Sequence, residues 1–231
     1  MDAPVVGRWD NRILAALPRE TLALLARDLK QVSLPLGVVC FEPGDIVDQI
    51  YFPETGMISL LVATGDGDMV ETSMIGREGA VGVQRAIGER RSFTRATVQI
   101  PRVFSTISAA RFAKVASGSP ALRELVFRYT ERLWIEAQQL VACNAVHDSA
   151  SRLCRWLLLS ADRSGSDHLP LTQDILSDML GVRRTTVTLL AQELQKQGLL
   201  KYSRGKITLL DRNALAGRAC ECYEVIKREN L

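Results

Sequence analysis

The stretch Met179–Gly198, "MLGVRRTTVTLLAQELQKQG", places a glycine between two segments whose apolar residues have helical spacing. The preceding "LTQDILSDML" predicts a first helix with Thr172 as its N-cap and Asp174 in the first turn, where a carboxylate is favourable. Gly181 provides the positive φ of a tight turn, and Gly198 ends the second helix. The residues expected at the helix crossing are Leu176, Ser177, Leu180, Val182, Val187 and Leu190. This pattern predicts a helix-turn-helix.

Basic residues surround this motif. Seven basic residues and only two acidic residues lie between Arg183 and Arg212, although the whole chain has a formal charge of only +3. After Gly198, "LLKYSRGKITLLD" predicts a hairpin that turns at Arg204-Gly205-Lys206 and forms a basic wing. Two packed helices without a DNA role would need the same core but not this charge. The residues predicted to contact DNA are Gln173, Arg183, Arg184, Thr185, Thr186, Thr188, Leu189, Lys201, Arg204 and Lys206.

A long helix is predicted upstream, from about Pro120 to Val146. Its apolar residues step by four and three, which is the spacing of a heptad seam. We interpret the seam as a dimer interface, because the helix is long for a globular protein and two-fold pairing is the commonest oligomer symmetry. The alternative is a helix packed on its own β domain. The predicted interface residues are Leu122, Val126, Tyr129, Leu133, Ala137 and Leu140.

The N-terminal zone has the pattern of short strands. Residues from Leu34 onward, "LPLGVVCFEPGDIVDQIYFPETGMISLLVATGDGDMVETSMIG", alternate β-branched or aromatic residues with Pro-Gly, Thr-Gly and Gly-Asp-Gly turns. Strands of this length predict a β-sandwich or barrel. The predicted domains are therefore residues 1–117 as a β domain, 118–147 as dimerisation helix and hinge, and 148–231 as a winged helix-turn-helix.

Composition excludes several other classes. Five scattered cysteines form no disulfide framework, and the N-terminal sequence lacks a secretory signal, so we expect a cytoplasmic protein without a membrane partner. A metal enzyme on a small barrel needs several histidines, but the two histidines, His147 and His168, lie outside the β zone. We therefore predict no enzymatic activity. Cys220 and Cys222, in "CEC", make at most half a metal site, and we predict no metal.

The order of these zones resembles the Crp/Fnr family of bacterial transcription regulators. The carriers of the resemblance are "LTQDILSDMLGVRRTTVTLLAQELQKQGLL" and "FEPGDIVDQIYFPETGMISLL". The resemblance implies an α+β fold with an N-terminal double-stranded β-helix, the cyclic-nucleotide-binding-like β-roll, then a long dimerisation helix and a C-terminal winged helix-turn-helix. It also implies a homodimer that binds a two-fold operator in double-stranded DNA, contacts RNA polymerase and responds to a signal sensed in the β-roll.

The effector pocket departs from the family pattern. Members that bind cyclic AMP carry a Gly-Glu pair for the ribose and a later Arg-Ser-Ala-x-Val for the cyclic phosphate. Here Val83 follows Gly82, and Thr94 stands at the arginine position, followed by Arg95 and Ala96. A slip of one residue would let Arg95 hold the phosphate. A buried phosphate without its charge partner loses about 1.5–3 kcal/mol, so we predict no tight cyclic AMP binding and no cofactor.

The second predicted helix also differs from the family's best-known set of base-contacting residues. Members that recognise TGTGA-type half-sites present Arg, then Glu, then Arg four residues after the Glu. Arg184 matches the first position and can bind guanine O6 and N7 in the major groove, whereas Thr185 and Leu189 replace the other two. An alternative function is a dimeric module that binds a small molecule or cyclic nucleotide and whose helix-turn-helix contacts protein.

Overall fold

The computed structural model describes residues 9–65 and 69–229. These residues form two compact units. The first comprises residues 9–58 and 75–132, and the second comprises residues 59–65, 69–74 and 133–229. Within the described residues, two strands and one helix contribute residues to both units. Within the described ranges, none of the helices is both long and apolar enough to cross a bilayer.

The first unit is built mainly from antiparallel strands. Strand β7 (Arg102–Ser108) pairs with β1 (Lys30–Leu34) on one side and β3 (Gln49–Pro53) on the other, and β2 (Val39–Phe41) pairs with β6 (Arg95–Ile100). The elements of this unit, including those shared with the second, are α1 (Arg12–Ala15), α2 (Arg19–Ala26), β1 (Lys30–Leu34), β2 (Val39–Phe41), β3 (Gln49–Pro53), β4 (Met57–Ala63), β5 (Met69–Ile75), α3 (Val83–Ile87), β6 (Arg95–Ile100), β7 (Arg102–Ser108), α4 (Ala109–Gly118) and α5 (Pro120–Val146).

The core of the first unit combines aromatic packing with one satisfied buried carboxylate. The ring centroids of Phe52 and Phe112 lie 6.2 Å apart, within the usual range for aromatic pairs. Glu54 is buried and accepts hydrogen bonds from the backbone N–H of Asn11 (2.8 Å) and the hydroxyl of Ser105 (2.7 Å). These contacts compensate the desolvation of the carboxylate and fix α1 to the end of β3.

The second unit contains the hairpin residues of β4 and β5 and the C-terminal helices. Its sheet has the strand order β8-β10-β9, with antiparallel pairing. Helix α6 (Ser149–Ser164) has Asp148 as its N-cap, whose side chain accepts from the backbone N–H of Ala150 and Ser151, and Gly165 as its C-cap with a φ of 66°. The remaining elements are α6 (Ser149–Ser164), β8 (His168–Leu169), α7 (Gln173–Leu180), α8 (Arg184–Lys196), β9 (Leu200–Ser203), β10 (Lys206–Leu209), α9 (Arg212–Arg218) and α10 (Cys222–Arg228).

Helix α5 has the predicted bounds, but its buried face differs from the predicted interface. Leu122, Val126 and Tyr129 are already buried within the chain, and the Tyr129 hydroxyl hydrogen-bonds to the backbone N–H and C=O of Ala80. The spacing of these residues therefore reflects packing in the first unit, which is the alternative that the sequence left open. The other predicted interface residues, Leu133, Ala137 and Leu140, are half-buried.

The antiparallel strands, the long helix and the C-terminal helix-turn-helix confirm the predicted α+β fold class. Residues 59–65 and 69–74 pack with the helices of the second unit, so the two compact units are not continuous segments of the chain. The hairpin is held there by Arg163, which donates to the backbone carbonyl of Met74 and forms a buried ion pair with Glu136 at 2.8 Å.

Candidate nucleic-acid interface

Helices α7 and α8 form the predicted helix-turn-helix. The Thr172 hydroxyl accepts from the backbone N–H of Ile175, so Thr172 caps α7 as predicted. Gly181 ends α7 with a φ of 62°, a conformation that side chains with a Cβ rarely adopt. Gly198 follows α8 with a φ of 73°. Leu176, Leu180 and Val187 are buried at the crossing, whereas Val182 and Leu190 are half-buried.

The first turn of α8 presents polar and basic side chains to solvent. Arg184, Thr185 and Leu189 are exposed, and Thr186 and Thr188 are half-buried. Arg184 donates from Nε to Oε1 of Gln173 at 3.4 Å, and its Nη1 lies 3.1 Å from Oδ1 of Asp174. Two residues of α7 therefore orient the guanidinium while it stays 64% exposed. This places Gln173 beside Arg184 as an orienting residue.

Arg183 occupies the N-cap position of α8. Among the described residues, none caps this helix through a side-chain hydrogen bond, although Ser or Asp at this position would do so. Its side chain is exposed. The side chain of Arg183 is therefore available for contacts outside the helix.

The wing is a two-residue hairpin. Strands β9 and β10 pair Ser203 with Lys206, and the turn residues Arg204 and Gly205 have φ values of 49° and 73°. Positive φ at both turn positions is the type I′ geometry that matches the twist of paired strands. Lys201, Arg204 and Lys206 are all exposed, so the hairpin confirms the predicted basic wing.

Arg212, one of the seven basic residues between Arg183 and Arg212, has a structural role. Arg212 forms ion pairs with Asp162 and with Asp167, the latter at 2.9 Å. It therefore ties the start of α9 to α6 and the loop that follows α6. The basic residues that remain exposed in this region are Arg183, Arg184, Lys196, Lys201, Arg204 and Lys206.

A cleft of about 490 Å³ borders the helix-turn-helix within the second unit. Thr64, Met69 and Val70 of the β4–β5 hairpin line it on one side, and Arg183 and Arg184 line it on the other. The hairpin therefore adjoins the start of α8, where the candidate DNA contacts are concentrated.

The hairpin also contacts α6 through Glu71. Its carboxylate accepts from Nε1 of Trp156 at 2.6 Å and from the hydroxyl of Ser59 at 2.5 Å. Burial raises the pKa of Glu71 to about 7, although these two hydrogen bonds oppose the shift. Glu71 is thus a titratable link between the hairpin and the helix that precedes the helix-turn-helix.

The predicted effector residues lie in two places in the first unit. Gly82, with a φ of 92°, precedes α3, and the side chain of Val83 is buried at the start of that helix. Thr94, Arg95 and Ala96 lie at the start of β6, where Ala96 is buried. Arg95 donates from Nε to Oε2 of Glu42 at 2.8 Å, so its guanidinium already has an anionic partner.

A cluster of three thiols and one imidazole was not predicted. Cys143 and His147 lie at the end of α5, and Cys220 and Cys222 lie at the start of α10; all four ligand atoms are within 4.8 Å of one another and could hold a metal ion. From the sequence, only the "CEC" pair is recognisable as part of a metal site. The available signal was the Cys-x₃-His spacing, which places two side chains on one helix face.

The comparisons with known proteins agree with this geometry. Residues 151–218 match the family model of the Crp-like helix-turn-helix domain. The global nitrogen regulator of Synechococcus elongatus is 22% identical over 212 residues, covering 85% of this chain and 96% of that protein. The global nitrogen regulator of a Nostoc species is 22% identical over 206 residues, covering 82% of this chain and 92% of that protein.

Solved structures show the same fold. FixK2 from Bradyrhizobium japonicum superposes with a TM-score of 0.70 at 16% identity, covering 83% of this chain and 98% of FixK2. A Crp/Fnr regulator from Eubacterium rectale superposes with a TM-score of 0.66 at 16% identity, covering 95% and 99% of the two chains. Residues 151–218 therefore match the Crp-like helix-turn-helix domain family, and the comparisons support a DNA-binding transcription regulator whose fold is similar to that of Crp/Fnr regulators.

Proposed function

We propose that this regulator acts in the cytoplasm as a homodimer on a two-fold operator, with Arg184 reading a guanine in each half-site. The observation that carries this proposal is the exposed guanidinium at the first turn of α8, oriented by Gln173 and Asp174. An arginine at this position can donate two hydrogen bonds to guanine O6 and N7 in the major groove. Orientation by α7 reduces the conformational entropy that the side chain loses on binding.

The neighbouring positions favour an operator other than TGTGA. Thr185 cannot accept from cytosine N4 as a carboxylate would, and Leu189 offers only apolar contact, such as with a thymine methyl. Both side chains are exposed, as is that of Arg184. The half-site would therefore contain one guanine that contacts Arg184, and its neighbouring bases would differ from those of TGTGA.

The exposed face of α5 supports pairing with a second copy of the chain. Phe127, Trp134 and Val141 are 60%, 65% and 72% exposed and are seven residues apart. Apolar residues at this interval line one seam of a coiled coil, and a solvent-exposed row of this kind is costly without a partner. We therefore assign the dimer seam to these three residues and to the half-buried Leu133, Ala137 and Leu140.

The first unit would sense a signal other than cyclic AMP and would pass it to RNA polymerase through the bound dimer. Val83 is buried and carries no acceptor for a ribose hydroxyl, and Arg95 is paired with Glu42. Titration calorimetry with cyclic AMP should show no micromolar binding. Binding at that level would contradict this part of the proposal.

The salt dependence of binding separates DNA recognition from a protein contact. Each phosphate neutralised by the protein lowers log K by about 0.9 per log unit of salt. Lys206→Gln should therefore reduce the magnitude of the slope by about 1 per subunit, because it removes one exposed charge of the wing. Lys114→Gln, which changes an exposed lysine of α4, is the matched control and should leave the slope unchanged. If Lys206→Gln and Lys114→Gln gave the same slope of log K against log salt, Lys206 of the wing would not contact a phosphate.

A further inference from the structure

Cys143, His147, Cys220 and Cys222 converge from segments about 75 residues apart. The Sγ atoms of Cys143 and Cys220 are 3.5 Å apart, and Nδ1 of His147 lies 3.6 Å from Sγ of Cys222. The backbone N–H of His147 donates to the carbonyl of Cys143, so the last turn of α5 places both side chains on one face. The three cysteines are buried, and His147 is 21% exposed.

These separations fit a single tetrahedral ion. With Zn–S bonds of about 2.3 Å, two sulfur ligands of a tetrahedral zinc lie about 3.8 Å apart. The Sγ–Sγ separation of 3.5 Å is close to this edge length, and all four ligand atoms lie within 4.8 Å of one another. The Sγ–Nδ1 separation of 3.6 Å agrees with the edge of about 3.6 Å expected between one sulfur and one nitrogen ligand. An iron–sulfur cluster places its ligands on different iron atoms and would require a wider set. A disulfide would use two of the thiols and leave the imidazole without a role.

The surroundings of the imidazole match those of a metal ligand. Nδ1 points toward the thiols, while Nε2 lies 3.1 Å from a carboxylate oxygen of Glu221. Histidines that bind metals commonly donate their other ring N–H to a carboxylate, which fixes the tautomer and the ring orientation. The side-chain amide of Gln139 also donates to Sγ of Cys222 at 3.0 Å, so a second ligand atom has a polar neighbour that restrains it.

A buried cation next to the cluster adds an independent argument from charge. Arg155 is only 4% exposed, and within residues 9–65 and 69–229 its Nε has no hydrogen-bond partner. A buried guanidinium requires nearby negative charge. A zinc ion with three thiolates and one neutral imidazole carries a net charge of −1. Such a centre would add negative charge near Arg155, which acts electrostatically on Cys143 as well as on the buried carboxylate of Glu71.

We propose that Cys143, His147, Cys220 and Cys222 form a closed structural site for one Zn²⁺ ion. The ion would tie the C-terminal turn of α5 to the start of α10, within the unit that carries the helix-turn-helix. With four protein ligands, the site leaves no open position for catalysis, so its role is structural. This assignment is independent of the operator and of the effector.

Metal analysis of the purified full-length chain tests the site directly. Protein dialysed against metal-free reducing buffer should retain about one zinc ion per chain, as measured by elemental mass spectrometry. After zinc removal, Co²⁺ should restore the site and give the intense visible absorption of a tetrahedral ion together with thiolate-to-cobalt charge-transfer bands. Metal-free protein that binds neither ion in reducing buffer, or a cobalt spectrum without thiolate bands, would overturn the assignment.

Two variants and one control locate the ligands. Cys222→Ser should lower zinc affinity by more than tenfold, because it removes a ligand. Glu221→Gln changes an exposed residue that does not contribute to the core, and it should weaken zinc binding by about 10–100-fold through loss of the carboxylate partner of His147. Cys40→Ser, at a cysteine of the first unit, should retain full zinc. Wild-type zinc affinity in both Cys222→Ser and Glu221→Gln would refute the site.

Discussion

The guanidinium of Arg184 is held by neighbouring side chains and is still accessible to DNA. Gln173 and Asp174 contact its guanidinium from α7, yet most of the side chain faces solvent. Because an exposed ion pair contributes little to stability, removing Arg184 should leave the fold intact. The residue is therefore a clean probe of recognition.

Arg184→Ala should weaken binding to the cognate duplex by about 1–3 kcal/mol and relax the preference at one base position. Fluorescence anisotropy at fixed salt, with the cognate duplex and single-base variants of it, measures both effects. Arg102→Ala, at an exposed arginine of β7, is the control and should bind like wild type. Unchanged affinity and base preference in Arg184→Ala would exclude this residue from the reading set.

Glu71 is a residue whose protonation is linked to stability. Its pKa is raised to about 7 by burial, whereas in the unfolded chain it is close to 4.5. Between these values the native state binds more protons than the unfolded state, so this group lowers the free energy of unfolding as pH rises from about 4.5 to 7. The full effect is about 3 kcal/mol at most.

Glu71→Gln should remove this component of the pH dependence while keeping a side chain that can accept from Trp156. Urea unfolding at pH 5 and pH 7.5 should show the variant gaining stability relative to wild type at the higher pH. Glu124→Gln, at an exposed glutamate of α5, should follow the wild-type pH dependence. If Glu71→Gln follows it as well, Glu71 is not the titrating group.

Among the elements, the helix-turn-helix was the most predictable from sequence. The cap at Thr172, the turn at Gly181 and the end at Gly198 each depend on local backbone requirements that the residue type reveals. The buried positions Leu176 and Val187 follow from helical spacing alone. Local chemistry was sufficient because both helices and their turn are continuous in the chain.

For helix α5, local sequence patterns were not sufficient to predict the packing. A spacing of three and four identifies an apolar face but does not reveal which surface covers it. Leu122, Val126 and Tyr129 have this spacing and are buried within the chain, whereas Phe127 and Trp134 form a second, exposed row. Likewise, His147 and Cys220 come together only through the tertiary fold, and their sequence separation hides the cluster.

Trp134→Glu should shift the chain from dimer to monomer, because it places a charge in the proposed seam of α5. Buried tryptophans commonly contribute 2 kcal/mol or more at interfaces, so the dimer dissociation constant should rise by at least about tenfold. Sedimentation equilibrium measures this constant. Arg128→Glu changes an exposed residue off the seam and should dimerise normally. A fully dimeric Trp134→Glu would place the interface elsewhere.

At the scale of the whole molecule, the chain combines a β-rich first unit with a second unit that contains the reading helix, the wing and the β4–β5 hairpin. The strand-forming pattern and the C-terminal motif could be recognised in the sequence. The membership of residues 59–65 and 69–74 in the second unit could not be recognised, because it depends on contacts of Glu71 with Trp156 and of Met74 with Arg163. Those contacts join residues about 85 positions apart.

The most direct test of the central claim is selection of binding sites from random double-stranded DNA by the purified full-length protein. We expect a two-fold symmetric motif with half-sites one helical turn apart and a half-site sequence other than TGTGA. Each half-site should contain a guanine that Arg184→Ala no longer selects. Enrichment of no motif, or of a motif without two-fold symmetry that is unchanged in Arg184→Ala, would contradict it.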